Sequence, residues 1–67
     1  MTRFDYFIRH LILQKLHLSL TQLNERQVLL LDSMVKEVYQ NKQLHQLDVE
    51  QKVNHIVSKH QVDFFVF

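Results

Sequence analysis

The sequence has no Cys, Gly, Pro, Trp or Ala among its 67 residues. Without Cys there is no disulfide framework, thiolate nucleophile, iron–sulfur cluster or cysteine-bound zinc, and a reducing compartment is permitted. Without Gly there is no phosphate-cradling loop, dinucleotide fingerprint, EF-hand or nucleophile elbow. Each of these needs a positive φ or a close backbone approach that Gly supplies at little steric cost. Charge of one sign is also lacking. Eight Lys or Arg stand against seven Asp or Glu, for a formal charge of +1, and the bases are spread from Arg3 to Lys59 rather than clustered. Nothing in that distribution demands a polyanionic partner.

Long apolar runs are missing as well. Val28-Leu29-Leu30-Leu31 and Phe64-Phe65-Val66-Phe67 are the longest, against the roughly 18 residues that suggest a membrane-spanning helix. No span is predicted. The first twenty residues mix Arg3, Arg9 and Lys15 with apolar side chains in the manner of a targeting peptide, but His10, Gln14, Lys15 and His17 interrupt any continuous apolar stretch. A cytoplasmic location is the default expectation.

What the chain does have is apolar content, 46% of its residues, in a length that allows one domain, 1–67. A chain this short buries only about 60% of its unfolded surface, so a spacious catalytic cleft is not expected. Helix starts are legible as polar side chains able to accept a free amide, with a side chain three positions on that can reach back. Thr2 with Asp5, Asn24 with Gln27 and Asp48 with Gln51 have this form, each ahead of apolar residues at helical spacing. The prediction is a compact all-α domain of three helices, near 3–20, 25–41 and 49–60. Asn41 is assigned as a left-handed stop for the second, since Asn tolerates that conformation when Gly is absent. The ending 62–67 reads either as a short extended segment or as a continuation of the third helix.

At about 100° per residue, the second helix gathers Val28, Leu31, Met34, Val35, Val38 and Tyr39 within an arc of about 140°. Val28, Leu31, Val35 and Val38 also fit a heptad seam, too short to specify a coiled coil. The third helix carries a stripe of Val49, Val53, Ile56, Val57 and His60. The first helix is different. Phe4, Phe7, Ile8, Leu11, Ile12 and Leu18 make one apolar face and Tyr6, Leu13, Leu16 and Leu20 a second, with Asp5 and Arg9 on one seam and His10, Gln14 and His17 on the other. A helix apolar on most of its circumference is normally buried, and two short companions cover only part of it.

Candidate chemistry is sparse. His10 and His17 lie about two turns apart, with rings about 10 Å apart along the axis, too far to share one ion. The spacings of His45 with Asp48 and His60 with Asp63 suit a carboxylate–imidazole contact but not the two-His, one-Glu pattern of a zinc hydrolase. Ser19, Ser33, Ser58, Thr2 and Thr21 stand in no recognisable nucleophile setting. No catalytic residue, metal ligand or cofactor is therefore assigned, and the chain is expected not to be an enzyme. The leading expectation is a small regulatory or inhibitor protein, self-associating or bound to another protein. Its interface is assigned to Tyr6, Leu13, Leu16, Leu20, Phe64, Phe65 and Phe67. The alternative is a dimeric helix-turn-helix-like reader of DNA or RNA, presenting Gln51, Lys52, Asn54, His55 and Lys59 from the third helix.

Overall fold

Asn24 and Asp48 open two of the helices as expected. In a computed structural model that describes residues 3–65, Asn24 Oδ1 accepts the Gln27 amide at 2.8 Å and Gln27 Oε1 accepts the Asn24 amide at 3.0 Å, starting α2 (Glu25–Gln40). Asp48 Oδ1 accepts the Gln51 amide at 2.8 Å at the start of α3 (Val49–Phe64). Thr2 lies outside the described residues, and α1 runs Arg3–Leu16. Single turns of 3-10 helix at Leu20–Gln22 and Lys42–Leu44 sit in the two connections, and no strand occurs among the described residues. The chain is a compact three-helix all-α domain.

Two helix ends differ from expectation. The first helix stops at Leu16 rather than near residue 20, because His17 adopts a left-handed conformation at φ 57°. The Leu18 amide then donates to the Leu13 carbonyl at 3.0 Å and the His17 amide to that of Gln14 at 3.2 Å. These are the paired 6→1 and 5→2 bonds of a Schellman stop, built here without Gly. Ser19 follows, its amide donating to Gln22 Oε1 at 2.8 Å, a Ser-x-x-Gln signature that lies within the apolar periodicity of the expected first helix. Asn41 is not left-handed. It is extended at φ −77°, ψ 104°, and its side chain accepts the Gln43 amide at 3.0 Å. The local side-chain bond, not a positive φ, turns the chain there.

The third helix continues to Phe64, past the expected stop at 60, which decides the reading of 62–67 for the described residues. Its end is held by α2: Arg26 donates to the Asp63 carbonyl at 2.7 Å and Gln27 Nε2 to the Phe64 carbonyl at 3.2 Å. These bonds satisfy carbonyls that a helix end otherwise leaves open. Phe64 is fully buried and belongs to the core.

Each helix packs against the other two. The pairs Phe4–Tyr39 and Arg9–Asp32 show α1 and α2 running antiparallel. Around the axis lie Ile8, Ile12, Leu31, Met34, Val53, Ile56 and Phe64, all buried, with Leu44 pinning the second connection. Leu31, Val35 and Val38 of the heptad-like seam are covered within the chain. The radius of gyration, 11.2 Å, is what a globular chain of this length has, about 11 Å.

Candidate interaction surface

Core packing decides which parts of α1 stay outside. Buried residues Ile8, Ile12 and Leu16 follow one another at i+4, which centres the inward direction near the Asp5/Arg9 seam rather than on either apolar face. Half of each face therefore goes in and half stays out. Leu13 and Leu16, expected on a surface awaiting a partner, are 8% and 5% exposed within the chain's own core, and Phe64 is 0% exposed. That assignment is corrected for these three: their own helices cover them. Tyr6 and Leu20 remain outside at 59% and 50%, as does Phe65 at 41%, set edge-on to Phe64 at 5.6 Å. Phe67 lies outside the described residues. The face expected to point inward also leaves rings in solvent: Phe4 is 43% and Phe7 51% exposed.

Turning the polar seam inward requires a partner for its charge, since a buried, unpaired guanidinium is costly. Arg9 finds one in Asp32 of α2, and its guanidinium carbon lies 6.0 Å from the centre of the Tyr6 ring. Arg9 Nε is buried with no partner among the described residues.

Two features result on the outside. Phe4 stacks on Phe7 at 6.3 Å and meets Tyr39 of α2 edge-on at 5.3 Å, and Tyr39 is itself 43% exposed. On the other flank lies a groove of about 490 Å³. Tyr6, Leu13 and Gln14 of α1 form one wall, and Leu18 and Leu20, brought back by the left-handed turn at His17, form the other. Arg9, His10 and Ser19 complete the lining, which is mostly apolar and, among the described residues, contains no carboxylate. A helix continued to residue 20 would have had no second wall.

Several polar side chains on the other surfaces pair across the helices. Lys15 Nζ meets Glu50 at 3.3 Å, and Glu37 Oε2 meets His60 Nε2 at 3.0 Å and Lys59 Nζ at 3.4 Å. Burial pushes the Glu37 carboxyl upward, but its hydrogen bond with His60 and the charges of His60 and Lys59 outweigh that and hold it below the ordinary value. His60 thus serves Glu37 of α2, not Asp63 of its own helix. On the outward side of α3, Gln51, Asn54, His55 and Lys59 are exposed and Lys52 is half-buried. No group of three or more His, Cys, Asp or Glu among the described residues is placed to hold a metal ion, and no described helix is long and apolar enough to cross a membrane. Comparison of the chain with protein-family models, with curated proteins and with solved structures finds no match.

Proposed function

We propose that this chain is a non-enzymatic interaction module, a small regulatory or inhibitor protein that docks on another protein through the outward side of α1. The observation that carries this reading is the set of four half-exposed rings, Phe4, Tyr6, Phe7 and Tyr39, in so small a domain. At about 200 Å² per ring they leave about 400 Å² of apolar surface in water. The cluster of Phe4, Phe7 and Tyr39 holds about 270 Å² of this, close to the lower end of the largest patches on monomers, about 300–600 Å², which are often functional, and Tyr6 adds the rest on the groove flank.

A nucleic-acid reader built on α3 has less support. Lys59 is drawn to Glu37, and the connection from Asn41 to Asp48 exceeds the turn of about four residues that sets helix-turn-helix geometry.

The test is affinity capture from the native host with the wild-type chain and with a Tyr6→Ser, Phe7→Ser, Leu20→Ser variant, each followed by mass determination of the complex. A partner retained by the wild type and lost by the variant supports the reading. A partner held equally by both, or recovered nucleic acid in place of protein, refutes it.

A further inference from the structure

At His17 two backbone courses compete. Its φ of 57° sets the β-carbon against the following carbonyl, a contact that Gly escapes, while the residues around it favour helix. In a helix continued past Leu16, Leu20 falls four residues after Leu16 and seven after Leu13, and Leu18 falls seven after Leu11, so each prolongs an apolar row already present. Backbone bonding differs little between the two courses. The stop gives the His17 and Leu18 amides to the Gln14 and Leu13 carbonyls and the Ser19 amide to Gln22 Oε1; continuation gives the same amides to carbonyls four residues back. The chain has the length for either. The Arg9–Asp32 and Phe4–Tyr39 pairs of antiparallel α1 and α2 set Leu16 level with residues 25–27. Residues 17–20 in helix add about 6 Å beyond that level, and packed helices have axes about 8–10 Å apart, so the return from Leu20 to Glu25 covers about 12 Å. Five peptide units reach about 17 Å.

We propose that His17 is a hinge on which α1 exchanges between the stop at Leu16 and a helix continued to Leu20, and that the groove exists only in the stopped state. Stopping turns Leu18 back against the core and sets Leu20 into the groove lining with Tyr6 and Leu13. Continuation carries both leucines past the level of α2 and removes the second wall. The packing of Leu18 makes the stop the ground state, and the left-handed backbone keeps the continued helix within reach as a minor one. An occupant of the groove holds α1 stopped, and an empty groove frees it to lengthen. The hinge concerns the shape of the groove and not its occupant, so it is tested apart from the docking role of α1.

The experiment is nuclear magnetic resonance relaxation dispersion on the intact chain, reading the population of a second state and its Cα shifts at residues 17–20, for wild type, His17→Gly and His17→Ala. His17 is exposed, so neither substitution disturbs the core. Wild type is expected to hold a minor state at about 1–10% whose shifts at residues 17–20 are helical. His17→Gly, at ease when left-handed, should lower that population about tenfold, and His17→Ala, the better helix former, should raise it about threefold. Gln22→Ala removes the partner of the Ser19 amide and should raise it as well. Absence of a second state in both wild type and His17→Ala overturns the hinge. A second state with non-helical shifts, or one whose population ignores the residue at position 17, overturns it too.

Discussion

Gln27 is the polar side chain most deeply committed to the fold, 6% exposed and bonded at both ends of its amide. Its oxygen completes the start of α2 and its nitrogen closes the end of α3. Gln27→Met keeps length, helix propensity and volume while removing both bonds. The Asn24 amide, on an exposed residue, regains water at a cost of about 0.5–1 kcal/mol. The carbonyl of buried Phe64 loses its donor, costing about 1–3 kcal/mol. Burial of the thioether returns about 1 kcal/mol, so the net loss is about 2 kcal/mol. That is a large share of the roughly 3–10 kcal/mol available to a chain of this size, and corresponds to a fall in Tm of about 8–16 °C. Gln27→Glu separates the two bonds. A carboxylate serves the α2 start as well as the amide does, but it offers no donor to the Phe64 carbonyl and sets negative charge against a helix C-terminus. Burial and that carbonyl favour the protonated acid, which can donate. The deficit of this variant against wild type should therefore be largest near neutral pH and shrink on acidification. Urea unfolding followed by circular dichroism at several pH values measures it. A Gln27→Glu chain with wild-type stability at neutral pH, or with a deficit unchanged by acid, would refute the latch between α2 and α3.

Three further outcomes follow from the same geometry. His17→Gly should raise stability by about 0.5–1 kcal/mol, the relief of the left-handed strain less the greater unfolded-state freedom of Gly; a lower urea midpoint would show that His17 is not in that conformation. Asp32→Ala should cost about 1–3 kcal/mol because Arg9 loses its partner, whereas Arg9→Met with Asp32→Leu should be close to neutral. A double-mutant cycle without coupling would remove the Arg9–Asp32 pair as the reason the seam turns inward. Because the Glu37 carboxyl is held below its ordinary value of 4.5, its contribution to stability is present above that value and is lost as pH falls through the lowered one. Glu37→Gln should flatten that acid limb, and an unchanged pH profile of the urea midpoint would contradict the Glu37–His60–Lys59 cluster.

Local chemistry was legible residue by residue. Asn24, Gln27 and Asp48 announced two helix starts because a side chain capping an amide three residues away needs only the local backbone. The inward stripes of α2 and α3, apart from Tyr39 at the edge of the α2 arc, which is 43% exposed, were legible for a related reason, since each of those helices has one apolar arc and so only one way to face a core. Leu16 and Phe64 show where this ends. α1 has two arcs, and periodicity cannot choose between them. His17 also lacks the signature of a left-handed stop, because Gly is the residue that ordinarily marks one.

The sequence by itself determined the all-α class, the three segments and two of the three wet faces, all consequences of spacing along the backbone. Only the tertiary structure decided how α1 is rotated, because burying half of each apolar face becomes favourable only once Asp32 of α2 is in place to receive Arg9. The groove and the exposed rings follow from that rotation and from the turn at His17. The surface on which a partner is proposed to dock is therefore a product of helix packing, not of any motif.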